Sequence, residues 1–306
     1  LARLMPIFDD LSANARRKMR RALGYIEAVR GYPALKRKFQ QRVGYALNLS
    51  SPRTFNEKMQ VRKLFDRNPL FPVISDKLRM RDHVAQVLGA ERARSLLPTL
   101  LGVTEFPDEL WISRFGTNVA FKANHGSGYN LFLRTGESVD AKTISRTCER
   151  WLRQDYGLKK LEWGYRPIPR RIMAEELIVG PDGRLADDLK FTMFDGNCAM
   201  IGLEWDRFGT HTQAVFDENW VRLPVKCKHD ALDQNPPRPR ELDRMLGIAR
   251  ELSAGFDHVR VDFLYTGDRC ALNELSLYDS SGLIPYDPPS FDHHLGDLWV
   301  QKIVRA

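Results

Sequence analysis

Apolar positions recur at helical spacing in some stretches of the chain and alternate or bunch in others, so helices and strands are interspersed. Met19, Leu23, Ile26 and Val29 fall three or four residues apart and predict an amphipathic helix over residues 14–30. Gly31, Pro33, Gly44 and Pro52 then break the pattern. From Thr54 it turns helical again through Phe55, Met59 and Phe65, and it stops before Pro69. Asp76 is placed to cap a helix over residues 77–88, which Gly89 closes. Residues 96–103 read as a short apolar strand or connector.

Strands over residues 118–122 and 130–134 flank the turn KANHGSGYN, and a helix is expected over 143–156. Strands follow over 171–178, 189–195 and 198–205, the first two separated by the turn Gly180-Pro181-Asp182-Gly183. NPPRPR at residues 235–240 is an irregular connector before a helix over 241–254. A hairpin then pairs residues 258–265 with 270–277 around 266–269. Strands and helices alternate without a βαβ rhythm, which implies an α+β fold.

Charge sharpens this picture at one end only. Residues 1–42 hold eleven Lys/Arg against Asp9, Asp10 and Glu27, which equals the net charge of +8 for all 306 residues. The rest of the chain is balanced, so it lacks the basic excess that a nucleic-acid groove needs, and no nucleic-acid partner is expected. The basic excess belongs to an arm whose 14–30 helix carries Arg16, Arg17, Arg20 and Arg21 opposite its apolar face. Such a helix either makes peripheral contact with an anionic membrane or packs on the body with its basic face in water. No apolar run approaches the ~20 residues of a membrane helix. The opening LARLMPIFDD also lacks the apolar core of a signal peptide. Cys148, Cys198, Cys227 and Cys270 are far apart, which favours reduced thiols and a cytoplasmic protein, peripheral at the inner membrane surface if the arm docks there.

Three clusters carry candidate chemistry. In Phe121-Lys122-Ala123-Asn124-His125-Gly126-Ser127-Gly128, a strand enters a glycine turn with a lysine at its mouth. Backbone N–H groups of such a turn can converge on phosphate, although a Gly-Ser-Gly turn also simply joins two strands. In VRVDFLY, Arg260 and Asp262 share one face of a strand, and Glu274 lies on the returning strand. An odd-numbered hairpin loop, of three or five residues, puts Asp262 and Glu274 on the same side. Two carboxylates beside one arginine then either hold Mg²⁺ or form a polar strand edge in which Arg260 pairs with Glu274. The third cluster runs from Glu175-Glu176-Leu177-Ile178 to Asp188 and Lys190, which are two apart and face the same way.

Taken in order, Lys77, Lys122 with its glycine turn, Glu175-Glu176, Asp188-x-Lys190, Arg260-x-Asp262 and Glu274 resemble the nucleotide-binding elements of the ATP-grasp superfamily. More narrowly, TFNEKMQ, SDKLRMRDHV, FKANHGSG, DDLKFTMFDG, VRVDF and NELS resemble its TupA-like branch, associated with teichuronopeptide and other cell-surface polysaccharide synthesis. The resemblance covers residues 52–282. It implies two α+β lobes closing on ATP, behind a mainly helical N-terminal region over residues 1–73. The first lobe would span 74–176 and the second 177–306.

Carried over by position, the resemblance implies that Lys122, Gly126, Ser127 and Gly128 hold ATP phosphates with Lys77 nearby. Glu175, Glu176, Leu177 and Ile178 would form the adenine hinge. Asp188 would bind ribose, Lys190 a phosphate, and Asp262 and Glu274 Mg²⁺. Arg260 and Lys190 would be the catalytic residues. The chain departs from the pattern at Ser276, where many grasp ligases carry Asn, and in residues 1–70, which read as helical where a βα unit is usual. The implied activity is ligation of a carboxylate, on a small molecule or a lipid-linked glycan, to an amine. A phosphotransferase or glycosyltransferase in glycan assembly is the rival enzyme, and a non-catalytic nucleotide-binding scaffold the rival of another class.

Overall fold

The computed structural model describes residues 15, 18, 22, 25–137, 140–206 and 210–305. Met19, Leu23 and the arginines at 16, 17, 20 and 21 lie outside these residues. Of the helix expected over 14–30, residues 25–29 are helical, and Ile26 and Val29 are 48% and 70% exposed.

Helix α1 (Pro33–Val43) starts on a proline, whose fixed φ suits a first turn, and ends at Gly44 with φ 96°. Helix α2 (Phe55–Phe65) is fixed by a capping box. Thr54 accepts from the Glu57 N–H at 3.1 Å, and Glu57 accepts from the Thr54 N–H at 3.2 Å. Nearly every side chain of α2 is buried, polar ones included, so it is an internal strut and not a surface helix. Arg62 donates to the His258 carbonyl at 2.8 Å and pairs with Asp257, while Lys58 donates to the carbonyls of Gly296 and Trp299 at 2.7 Å.

After the short α3 (Phe71–Ser75), α4 (Lys77–Leu88) is capped by Asp76 and closed at Gly89, as its sequence predicts. Residues 90–96 then form α5 (Ala90–Leu96), a helix the periodicity did not show. Four strands make the first sheet: β1 (Leu100–Thr104), β2 (Val119–Ala123), β3 (Asn130–Leu133) and β4 (Ile172–Glu176), in the order β1-β4-β2-β3 and antiparallel throughout. The helix expected over 143–156 divides into α6 (Ala141–Leu152) and α7 (Tyr156–Lys160), because Asp155 caps a new turn by accepting from the Leu158 N–H at 3.2 Å.

The second sheet contains β5 (Asp187–Phe194), β6 (Asn197–Trp205), β7 (Thr212–Phe216), β8 (Asp230–Ala231), β9 (Val259–Tyr265) and β10 (Cys270–Ser276), ordered β10-β9-β5-β6-β7-β8. The sequence reading lacked β7 and β8. Helices α8 (Leu242–Ser253) and α9 (Ser290–Leu298) complete an α+β architecture. Phe55, Phe191, Leu246, Val261, Phe263 and Trp299 belong to the main apolar core, which joins α2 and α8 to this sheet. A smaller core packs α6 on the first sheet through Ile144, Cys148, Phe121 and Ile172. All four cysteines are free thiols. No described helix is long and apolar enough to cross a membrane.

Candidate active site between the two sheets

The β9–β10 turn decides where the carboxylates point, and it does so by a route the sequence concealed. The loop has four residues, Thr266 to Arg269, with Tyr265 opposite Cys270. Continued regularly, that register would set Asp262 against Asn273. A bulge between Leu272 and Glu274 adds one residue to β10, so Glu274 is opposite Asp262. The odd loop is therefore corrected to an even loop plus a bulge, which restores the same-face relation.

Arg260 is buried beside this pair. Its Nε and one Nη lie 2.7 and 2.6 Å from the two Asp262 oxygens, its other Nη pairs with Asp279, and Glu274 is 3.7 Å away. The polar-edge alternative, Arg260 paired chiefly with Glu274, is not what forms; Asp262 and Asp279 take the guanidinium. Burial alone would lower the Arg260 pKa, but the two carboxylates hold it well above its ordinary value. Burial pushes Asp262 up to about 6 against the pull of Arg260, with the Glu274 charge adding to the rise. Burial would also raise Glu274, yet Lys77, Arg260 and Lys122 outweigh it and hold that carboxyl down to about 2.

The glycine turn faces this cluster from the first sheet. Lys122 on β2 reaches Glu175 of β4 at 2.5 Å and the side-chain oxygen of Asn273, the bulge residue, at 3.0 Å. Asn124 ties the turn down, donating to Asp76 and the Pro169 carbonyl, both at 2.9 Å, and accepting from the Arg171 N–H at 2.8 Å. His125 is also buried, 3.1 Å from the Trp151 carbonyl, and burial lowers its pKa to about 4. With those two side chains turned inward, Ser127 and Gly128 are left to line the cleft. Gly126 does not line it. Its carbonyl accepts from Lys77 at 2.9 Å, and a Cβ there would come within 2.9 Å of the Tyr129 ring. Lys77 also lies 3.3 Å from Glu274, so it bridges turn and hairpin.

On β5, Lys190 is the cross-strand neighbour of Asp262 and reaches Glu204 of β6 at 2.9 Å. Asp188 is buried and borders the same cleft. Glu175 and Glu176 point apart: Glu175 meets Lys122, with Arg81 at 3.6 Å, whereas Glu176 pairs with Arg269 of the hairpin loop at 2.5 and 3.0 Å. The Arg269 hydrogen bonds hold Glu176 down to about 2.

The cleft has a volume of about 880 Å³. Except for Gly126, each site residue named from the sequence lines it: Lys77, Lys122, Ser127, Gly128, Glu175, Glu176, Leu177, Ile178, Asp188, Lys190, Arg260, Asp262 and Glu274. Residues absent from the sequence reading join them, including Asn273, Lys228, His229 and the tyrosines Tyr156 and Tyr165. Asp279 and Glu204 were also missed; each is an acid within an apolar or turn segment, with nothing local to mark its distant cationic partner.

No protein of curated function matches the chain in sequence. Among solved structures, it is similar to D-alanine–D-alanine ligase from Bacillus anthracis complexed with ATP, at 15% identity over 74% of this chain and 65% of that one, with a TM-score of 0.38. It is similar to the ATP-grasp ligase PsnB, complexed with a phosphomimetic variant of its minimal precursor, Mg and ADP, at 13% identity over 63% and 48%, TM-score 0.34. It also resembles N5-carboxyaminoimidazole synthase from Aspergillus clavatus, in complex with ADP and its ribonucleotide, at 9% identity over 69% and 46%, TM-score 0.39. In each case the chain spans less than two thirds of the other protein. Residues 57–300, most of the length and every site residue discussed above, match the family described as TupA-like ATPgrasp, and the chain belongs to that family.

Proposed function

We propose that this protein is an ATP- and Mg²⁺-dependent carboxylate–amine ligase working through an acyl phosphate, in cell-surface polysaccharide synthesis. The observation that carries the reading is the facing of Asp262, Glu274 and Arg260 on one sheet to Lys122 and the glycine turn on the other. Family membership and the Mg, ATP and ADP complexes named for the similar ligases support it.

The donor set suits a hard cation, being carboxylate oxygens on adjacent strands. Glu274 is the freer ligand, since its cationic neighbours stand 3.3 and 3.7 Å away, while both Asp262 oxygens already accept from Arg260. Asp262 and Glu274 would hold Mg²⁺, whose positive charge would offset that of the phosphates.

The lysines would hold the nucleotide's phosphates, Lys122 beside the turn and Lys190 from β5. Each has a carboxylate partner, Glu175 and Glu204 respectively, which keeps it ordered and in the cleft. Leu177 and Ile178 would frame the adenine and Asp188 would meet the ribose. A substrate carboxylate attacks the γ-phosphorus, the bond to ADP breaks, and an acyl phosphate forms. An amine then attacks the acyl carbon, phosphate departs, and the amine's proton passes to solvent, leaving an amide. Arg260, already placed against two acids, would supply a fixed positive charge to the tetrahedral oxyanion. The substrate in this reading is a sugar acid or similar carboxylate, small or lipid-linked.

The test is ADP release over a panel of acids and amines with ATP and Mg²⁺. A ligase forms ADP and phosphate when an acid and an amine are both present, with an amide product by mass. Transfer of phosphate to a sugar hydroxyl, with no amide, would establish the phosphotransferase instead.

A further inference from the structure

A second polar cluster lies at the edge of the cleft, and the ligase reading uses one member of it, Glu204, and that only as the partner of Lys190. Glu204 at the end of β6, His211 just before β7 and His229 just before β8 bring one ligand atom each to within 4.8 Å of one another. The His211 Nε2 lies 2.5 Å from one Glu204 oxygen. The two imidazoles stack, with centroids 3.7 Å apart and planes inclined by 28°. Glu204 is 4% exposed, and its second oxygen is held by Lys190 at 2.9 Å and by Gln213 at 3.2 Å. The carboxylate is therefore oriented by its neighbours, with the other oxygen turned to the histidines.

We propose that Glu204, His211 and His229 form a binding site for a transition-metal ion of the zinc class, open toward the cleft. Two imidazoles and one carboxylate are a three-ligand set that leaves a coordination position vacant. His229 borders the cleft, so that position faces it and can take water or a substrate oxygen. In a tetrahedral site with bonds of ~2.0–2.1 Å, ligand atoms stand about 3.4 Å apart. The widest pair must close by about 1.4 Å from its 4.8 Å limit, and the Glu204–His211 pair must open by about 0.9 Å. Side-chain rotation covers such changes. The lysine and glutamine on Glu204 play the part that outer partners play at metal sites, fixing the ligand's orientation.

Imidazole ligands separate this site from the Asp262–Glu274 pair. Mg²⁺ takes oxygen donors and binds imidazole poorly, whereas Zn²⁺ and Co²⁺ accept it readily. The Glu204 carboxylate favours a cation at His229, while Lys228 and Lys190 oppose one through their charge.

The experiment uses the full chain, stripped with a chelator and titrated with Co²⁺ without nucleotide. Expected is about one equivalent of Co²⁺ with the intense visible absorption of a four- or five-coordinate ion, displaced by Zn²⁺ and untouched by excess Mg²⁺. His211→Gln and His229→Gln should each abolish the band, and Glu204→Gln should weaken it. Replacing both exposed histidines of α9, His293→Gln with His294→Gln, should leave it intact. Melting of each variant without metal shows that it is folded. A spectrum of hexaaquo Co²⁺ alone, displacement by Mg²⁺, or a band that survives loss of both His211 and His229 would overturn the site. Since no nucleotide is present, failure here is distinct from failure of the ligase reading.

Discussion

Asp262 and Glu274 stand directly opposite each other on β9 and β10 because Asn273 is bulged out of the ladder beside them. The bulge also presents the Asn273 side chain to Lys122, so one backbone irregularity sets both the carboxylate pair and its link to the glycine turn.

The first prediction follows from that pairing. Asp262→Asn and Glu274→Gln keep side-chain volume while removing one charge each. Both should eliminate Mg²⁺-dependent ADP formation, by about a hundredfold or more, yet leave nucleotide affinity without Mg²⁺ within a few-fold of the parent. Turnover close to wild type in either variant means that the pair holds no catalytic metal.

Lys122 is expected to act twice, once on the fold and once on the nucleotide. It shares a buried ion pair with Glu175, both side chains under a tenth exposed, and among the described residues only Arg81 at 3.6 Å would remain to balance that acid. Lys122→Met should therefore cost roughly 3 kcal/mol of stability, and adding Glu175→Gln should recover most of it. Nucleotide affinity should fall about tenfold or more in the single variant and stay low in the double. Urea denaturation and nucleotide titration separate the two effects. Affinity that returns along with stability would show that Lys122 acts on the fold alone.

How much of this was legible in the sequence depends on the range of each signal. Asp76 and Gly89 act within one helical turn, and the helix they bound appears where the residues say, as does the helix that begins after Thr54. Asp188 with Lys190, and Arg260 with Asp262, were visible because alternation along a strand fixes relative facing, and Lys122 because it stands at the mouth of a glycine turn. The bulge was not, since nothing in NELS distinguishes a regular strand from one with Asn273 extruded; the contact that rewards it comes from Lys122, 151 residues away. Glu204, His211 and His229 were hidden for the same reason, as were β7 and β8, short strands whose pairing with β6 and each other replaces any strong local pattern.

His258 makes stability depend on pH. It is fully buried among Phe55, Phe194 and Trp299, with Nδ1 3.1 Å from the Met193 carbonyl. Burial lowers its pKa to about 3, with Arg62 adding to the fall. The unfolded chain, with an ordinary histidine near ~6.5, binds more protons between those values, so this group's contribution is full above the upper value and lost as pH falls below it. From pH ~7.5 to ~5 the loss is about 2 kcal/mol. His258→Gln, whose amide can still donate to Met193, should therefore lose about 2 kcal/mol less than the parent over that range in denaturant melts. Parallel losses in the two proteins would refute the assignment.

The basic arm gives the last prediction. The net charge of +8 resides in residues 1–42, and at the described end of the 14–30 segment Tyr25, Ile26 and Val29 are exposed. In a ligase that serves surface-glycan assembly, an acceptor carried on lipid lies at an anionic leaflet, and an arm that docks there raises encounter with it. Each basic residue near such a surface contributes about 1 kcal/mol, so a handful gives reversible binding without a spanning helix. The protein should sediment with phosphatidylglycerol-containing vesicles at low salt and stay in solution with phosphatidylcholine alone. High salt should release it, because the interaction is screened beyond the ~10 Å Debye length at 0.1 M. Replacing Arg16, Arg17, Arg20 and Arg21 by Gln should abolish sedimentation and leave nucleotide binding unchanged, since the four precede residues 57–300, which carry the family match. If the parent protein remains in the supernatant with anionic vesicles at low salt, the arm has no membrane role, and its arginines only solvate a structural helix.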